Sequence, residues 1–495
     1  MGITLEKTHY QLLINGEGVD SASGQSFETH NPATNEALAS VAKATPEDVD
    51  KAVAAAREAF SGAWARISAA KRTGLLFKLA GLLRERFEAL ARLESLNNGK
   101  AITSVKGELN QAIEELEFYA GAANKIMGST VPVPYGFLNY TLREPIGVCA
   151  LIVPWNYPIL LALRKLAPAL AAGNTVVLKP ASATPLTALT IGEWCLEAGL
   201  PPGTVNVITG PGVEIGSYLV KHPGVDKISF TGETSTGKEI MRMAADSIKR
   251  LSLELGGKSP NIVFEDADLE AAAAGSVWAI FYSAGQSCEA RSRLFVQDSI
   301  YDRFVSLFVE KAKKLRVGDP LDPETHVGAL ISPAQVQRVE SYVQAGLSAG
   351  GRVLCGGGRP PEPSLARGNF YLPTALAIED HRAKVTQEEI FGPVVTILRF
   401  KSEAEVVALA NDVIYGLVAT LWTQDVGRAH RVAGQIRSGV VTINTPFTVF
   451  PGLPFGGYKQ SGFDREVALE ALHSYTELKS VLVFVREKPL NPFGI

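Results

Sequence analysis

The chain has 495 residues, 46% of them hydrophobic and 20% charged, with a formal net charge of −3. That length exceeds what one hydrophobic core supports, so two or three structural units are expected. The near-neutral balance, with no long basic run, excludes a broad nucleic-acid surface.

Met1–Thr8 lacks a basic start followed by an apolar stretch, so no secretory signal is read there. Arg164 and Lys165 interrupt the best candidate for a bilayer span, so no membrane segment is expected. The four cysteines (149, 195, 288 and 355) are too few and too scattered for a disulfide scaffold or a zinc site, and no metal is expected. Free thiols fit a reducing, cytoplasmic setting.

In chain order, residues 49–67, 69–98 and 104–126 are Ala/Leu-rich with charges at helical spacing and read as long amphipathic helices. Residues 129–144 read as two short strands around a Tyr-Gly turn. From residue 146 short apolar runs alternate with helical stretches. The strands are 146–153, 174–179, 205–208 and 227–230. The helices between and after them are 159–172, 185–199, 213–221 and 235–246. This alternation implies βαβ units and a mainly parallel sheet, with ligands at the strands' C-terminal ends. A second α/β alternation runs from about 257 to 447. Residues 478–485 form a late strand with no obvious partner nearby, and pairing between subunits is its simplest cover.

Two glycine segments carry misleading patterns. Gly210-Pro-Gly-Val-Glu-Ile-Gly216 is one residue too long for the dinucleotide fingerprint. Gly232-Glu-Thr-Ser-Thr-Gly-Lys-Glu239 nearly matches a phosphate-binding P-loop, but Glu239 replaces the hydroxyl that magnesium needs, so phosphoryl transfer is rejected. Phe230-Thr-Gly-Glu-Thr-Ser-Thr-Gly237 still ends a strand and opens a helix, a setting whose free amides suit a pyrophosphate.

Three residues carry chemistry. Cys288 lies in Phe281-Tyr-Ser-Ala-Gly-Gln-Ser-Cys-Glu-Ala290, a small, loop-prone setting that a ligand could reach. Glu254 lies in Leu253-Glu-Leu-Gly-Gly-Lys258, and Asn156 in Val153-Pro-Trp-Asn-Tyr-Pro158. A nucleophile, a carboxylate base and an amide donor are the parts needed to attack a carbonyl, hold its oxyanion and hydrolyse a thioester. Singly, each has a plain structural alternative: a turn asparagine, a surface carboxylate, a buried apolar cysteine.

With these motifs the chain resembles the NAD(P)-dependent aldehyde dehydrogenases over nearly its whole length. Gln387-Glu-Glu-Ile-Phe-Gly-Pro393 and Pro454-Phe-Gly-Gly-Tyr-Lys-Gln-Ser-Gly462 extend the match in order. The resemblance implies an α/β fold with three parts. They are a Rossmann-type cofactor domain (1–126 and 146–256), an α/β catalytic domain (257–462) and a small β oligomerisation element (127–145 and 463–495). It further implies oxidation of an aldehyde to its acid through a Cys288 thiohemiacetal and thioester, with Asn156 at the oxyanion and Glu254 as general base. Lys165 and Glu466 match proton-relay residues. Ile152, Pro154, Trp155, Phe230, Thr231, Gly232, Glu233, Leu255 and Gly256 border the cofactor, Gly212 and Gly216 its adenosine side, and Glu389 and Phe391 its nicotinamide ribose. Glu233 departs from the pattern, since an acid beside a pyrophosphate must turn away. Lys179 and Ser182 face the adenine ribose. Ser182 in place of a glutamate leaves both NAD and NADP acceptable. A homo-oligomer, dimer or tetramer, is implied.

For the substrate, the chain looks closest to the bacterial betaine-aldehyde and γ-aminobutyraldehyde type. Tyr157 matches a wall of the aromatic cage that holds a quaternary ammonium. Arg164 stands where such enzymes carry a tryptophan; it could pair with a substrate carboxylate or point to a channel mouth. A broad or aliphatic aldehyde is therefore expected first, an acidic semialdehyde of the succinic type second and betaine aldehyde third. A crystallin-like structural protein is the non-enzymatic alternative, which intact Cys288, Glu254 and Asn156 disfavour.

Overall fold

A computed structural model describes residues 7–488 and 490–494; most of the signal-peptide reading at Met1–Thr8 lies outside these residues. Among them, the strands form an eight-stranded, a seven-stranded, a three-stranded and a two-stranded sheet.

The eight-stranded sheet has a parallel centre. Val148–Ile152, Thr175–Lys179, Val205–Val207, Lys227–Thr231 and Arg250–Glu254 are each joined to the next by a helix or turn. In space they run 250–254, 227–231, 148–152, 175–179, 205–207. Strand order thus reverses between Val148–Ile152 and Lys227–Thr231, and the crevice beyond their carboxyl ends is where such sheets take ligands. Leu12–Ile14 and Glu17–Val19 extend one edge and Gly462–Phe463 the other, all antiparallel. The five central strands are buried apart from exposed Arg250 and partly exposed Ile152 and Leu251, the near-continuous burial of a sheet covered on both faces.

The helix Pro158–Ala172 is buried at every residue. Proline at its first position and left-handed Gly173 at its end (φ 96°) set its limits. It packs on Ile102–Ala122 and puts Arg164 and Lys165, adjacent in sequence, toward different neighbours. The expected helix 69–98 is two helices, Ala69–Glu85 and Phe87–Asn98, separated at Arg86 (φ −107°, ψ 24°).

The seven-stranded sheet runs Arg352–Cys355, Thr374–Ala377, Val394–Phe400, Arg293–Gln297, Pro260–Val263, Val418–Trp422, Val440–Ile443, parallel except for the first pair. Its core is separate from the clusters of the first sheet.

Two expectations are corrected. Residues 129–144 do not form two strands: the strand is Phe137–Pro145, and upstream only an isolated bridge, Thr130 to Tyr140, forms. Pro132 and Pro134 remove the donors that a first strand needs. The late strand, Thr476–Phe484, has its partner in the same chain, pairing antiparallel with Phe137–Pro145. That partner was invisible locally because the contact joins residues 341 apart, as from Asn139 to Ser480. The ribbon leaves Leu138, Leu142, Leu478 and Leu482 exposed.

Candidate active site

Cys288 lies between the helix Leu269–Phe281 and the strand Arg293–Gln297. The turn leading to it holds three consecutive left-handed residues, Ser283 (φ 56°), Ala284 (φ 54°) and Gly285 (φ 68°). Such backbone persists only where its surroundings over-determine it. Here Gly285 is pressed against the Gly392 carbonyl, where a Cβ would stand 2.1 Å away. Gln286 secures the loop, its Oε1 accepting from the Ile331 N–H at 2.9 Å.

Glu254 is the last residue of its strand, beside Thr231 on the next one. Gly256 and Gly257 follow for steric reasons. A Cβ on Gly256 would meet Glu389 Oε2 at 2.3 Å, and one on Gly257 would meet the Cys288 carbonyl at 2.1 Å. The two glycines thus let the carboxyl end of the first sheet touch the Cys288 loop of the second. The Gly257 N–H donates to Glu389 Oε1 at 3.0 Å.

Asn156 follows the first central strand. Its side-chain Nδ2 donates to the Gln286 carbonyl at 2.9 Å, which fixes the amide against the cysteine loop and leaves its second N–H uncommitted. Trp155 meets Phe391 edge-on with ring centroids 5.2 Å apart, and Phe391 is itself left-handed (φ 63°).

Cys288 and Glu254 line one cavity of roughly 1020 Å³, together with Tyr157, Arg164, Thr231 and Glu466. Trp278, Tyr282, Phe447 and Phe455 give it aromatic walls, with Trp278 against Tyr282 (4.8 Å) and Phe447 (5.1 Å). Both carboxylate oxygens of Glu254 are buried without a hydrogen-bond partner. Burial, and then the Glu466 charge, push its carboxyl well above the usual range. Burial first, and then the carboxylates of Glu289, Glu389 and Glu254, push the Cys288 thiol up. Lys165 Nζ binds Glu466 Oε1 at 2.5 Å and Ser229 Oγ at 3.1 Å.

Arg164 lines this cavity, but its guanidinium is already engaged there. It is buried and forked onto Glu115, at 2.7 and 2.9 Å. A guanidinium already holding a carboxylate bidentately is no free anchor for another. One face of the Tyr157 ring is likewise taken, by Lys100 Nζ 3.8 Å from its centroid.

The crevice residues converge at the carboxyl ends of the first sheet's strands. Ile152, Pro154 and Trp155 follow one strand; Phe230, Thr231, Gly232 and Glu233 close the neighbouring one. Phe230 lies against Gly232, and Leu255 packs on Gly237. Glu233 is exposed at the start of the helix Thr234–Ala245 and caps nothing with its side chain. Thr231 Oγ1 is buried without a partner, a vacant donor suited to a polar ligand in the crevice. Among the residues expected on the adenosine side, Gly216 abuts the Lys179 stem, and the Ser182 hydroxyl donates to the Gly210 carbonyl at 2.8 Å. Burial lowers the Lys179 amine to about 8. Gly212 stands apart, exposed with open space around it.

Sequence reading missed Lys100, Glu108, Glu115, Gln286 and Glu289. A signal was present for two: Glu108 and Glu115, seven residues apart, share the buried face of the helix Ile102–Ala122 with Ala112 and Tyr119, where a charge needs a partner. No group of three or more His, Cys, Asp and Glu that could hold a metal occurs among the described residues, and no helix there is long and apolar enough to cross a membrane.

A thiol, a buried carboxylate and an amide gathered where two α/β sheets meet make a candidate site for chemistry on a carbonyl. The model of the aldehyde dehydrogenase family matches residues 19–481, and the chain belongs to that family, whose general chemistry is the oxidation of aldehydes. It is 44% identical to a betaine aldehyde dehydrogenase of Bacillus subtilis (strain 168), over 98% of this chain and 99% of that one. Among solved structures, an NAD+ complex of an aldehyde dehydrogenase from Bacillus cereus superposes with a TM-score of 0.94 at 45% identity, covering 97% of both chains. PnpE in complex with nicotinamide adenine dinucleotide gives 0.96 at 46%, covering 98% of this chain and 99% of that one.

Proposed function

We propose that this protein oxidises broad, mainly apolar aldehydes to carboxylic acids with NAD or NADP, through a thioester on Cys288 that Glu254 hydrolyses. The observation that carries the reading is the shared cavity in which Cys288 and an unpartnered, buried Glu254 both stand.

The Cys288 thiol gives up its proton to water in the cavity and adds to the aldehyde carbon as the thiolate. The resulting oxyanion lies with the free N–H of Asn156 and the backbone N–H of Cys288. Ile152, Trp155, Thr231 and Gly232, at the crevice where strand order reverses, would hold NAD(P), which would supply the acceptor for the hydride. The NAD complexes of the similar enzymes support this cofactor. Glu389, folded over Gly256 and Gly257, is placed for a ribose hydroxyl. Glu254 then takes a proton from water, which attacks the thioester and releases the acid. Lys165 and Glu466, paired beside it, carry that proton away. Ser182 puts no carboxylate beside the ribose and Lys179 adds positive charge, so neither cofactor is repelled. The exposed leucines of the ribbon fit a homo-oligomer, dimer or tetramer, in a cytoplasmic enzyme.

The aromatic walls favour apolar aldehydes. With Arg164 held by Glu115, the acidic-semialdehyde reading loses its anchor. Betaine or amino aldehydes stand as the second reading, favoured by those aromatic walls and the Glu289 carboxylate in the cavity lining.

The test is the initial rate of cofactor reduction with hexanal, succinic semialdehyde and betaine aldehyde, each with NAD and with NADP. Hexanal should lead with both cofactors. A clear preference for betaine aldehyde would install the second reading, and a preference for succinic semialdehyde abolished by Arg164→Ala would overturn the account of Arg164.

A further inference from the structure

The end of the helix Phe87–Asn98 and the turn that follows it reach the Trp155-Asn156 segment through two side chains. Asn98 Nδ2 donates to the carbonyl of Trp155 at 2.5 Å, and Lys100 Nζ donates to the carbonyl of Asn156 at 2.7 Å. Two successive carbonyls of the segment bearing the oxyanion amide are therefore pinned from one loop. Gly99, left-handed at φ 82° and closing the helix Phe87–Asn98, turns that loop toward the segment.

Lys100 is held in turn by Glu108, whose oxygens lie 2.7 and 2.6 Å from Nζ. Both side chains are 3% exposed. Glu108 Oε1 also accepts from the Tyr282 hydroxyl at 2.9 Å, and Tyr282 is the first residue of the left-handed turn that delivers Cys288. One carboxylate thereby ties the start of the nucleophile loop to the lysine that fixes the oxyanion donor. Stability alone gives a weak reason for such a pair, because buried ion pairs are often replaceable by apolar packing without loss. Its contacts lead to the two groups that must stay in register around one carbonyl carbon.

We propose that Lys100 and Glu108 are positioning residues that hold the Asn156 amide in register with the Cys288 loop. This rests on the oxyanion role given to Asn156 above. The lysine lies outside the cavity lining and acts on the reaction through the Asn156 main chain; Glu108, at the cavity wall, acts through the lysine and Tyr282. A misplacement of about 1 Å in such a constellation costs on the order of 100-fold in rate.

The experiment is a cycle of Lys100→Met, Asn156→Ala and the double variant, with kcat and KM for hexanal and for NAD. Glu108→Gln, which keeps the side-chain volume, serves as a second probe should Lys100→Met fail to fold. The expected result is a fall in kcat of roughly 10- to 100-fold for either positioning variant, with KM for NAD within about twofold. In the Asn156→Ala background the same substitution should cost less than about twofold more, because the group it positions is gone. Losses that multiply in the double variant, or an unchanged kcat in a folded single variant, overturn the proposal. An Asn156→Ala enzyme as active as the wild type overturns the oxyanion role itself and the positioning with it.

Discussion

Burying a carboxylate without hydrogen bonds costs a protein several kcal/mol unless the group keeps its proton, and Glu254 is buried with both oxygens unpartnered. Its raised carboxyl fits a group that takes a proton from water and passes it on. The sign follows directly. The base is the ionised form, so thioester hydrolysis should fall as pH drops through a range above that of an ordinary carboxylate. A pH profile of kcat in the deacylation-limited regime checks this; a limb at the ordinary carboxylate value contradicts it. Glu254→Gln should lower steady-state kcat by about 100- to 10,000-fold while sparing the first turnover. Glu289, next in sequence, is the largest charged neighbour raising the Cys288 thiol. Glu289→Gln should therefore lower the thiol pKa and speed alkylation by iodoacetamide at pH 7; an unchanged or slower rate contradicts that electrostatic role. At this scale the three candidate residues could be singled out because each stands in a compact motif of small or apolar neighbours. Arg164 was not, because its partner Glu115 lies on another helix and only packing brings them together.

At the scale of elements, the join between the sheets depends on Gly257, where a Cβ would collide with the Cys288 carbonyl. That obstacle is backbone rather than a flexible side-chain tip, so Gly257→Ala should shift the nucleophile loop and destabilise the fold by about 1–3 kcal/mol. Thermal unfolding and the alkylation rate of Cys288 read the two effects, and a variant unchanged in both removes the steric account. The alternation of strands and helices was readable from residue 146 onward because four short apolar runs stand out between helical stretches, whereas the fifth strand, Arg250–Glu254, was missed because charged and polar residues interrupt it. The hairpin at 129–144 misled because its valines and tyrosine have strand propensity while its two prolines deny the ladder its donors. The split at Arg86 left no trace in the periodicity, since both helices keep their apolar faces.

On the scale of the whole molecule, the reversal of strand order gathers residues from positions 152 to 256 at one crevice, and the second sheet brings Cys288 and Glu389 to its edge. The ribbon of Phe137–Pro145 and Thr476–Phe484 then presents leucines that its own chain leaves exposed. Replacing Leu138 and Leu478 with lysine should lower the assembly state measured by sedimentation while leaving the monomer folded; an unchanged assembly contradicts a role for the ribbon in oligomerisation. Cofactor choice also belongs here. Ser182→Glu should raise KM for NADP well beyond that for NAD, because a carboxylate facing the ribose repels a 2′-phosphate, and equal shifts for both cofactors would place Ser182 away from it. The ribbon's pairing could not be read locally, since its paired residues lie far apart in sequence, Asn139 and Ser480 by 341 positions.

The central claim is that Cys288 carries the acyl group and Glu254 releases it. Its most direct measurement is the intact mass of Glu254→Gln after mixing with hexanal and NAD. The account predicts one equivalent of reduced cofactor formed in a burst and a protein heavier by one hexanoyl group, located on Cys288, whereas the wild type turns over without accumulating it. A Glu254→Gln enzyme that turns over like the wild type, or an acyl group found on another residue, would contradict it.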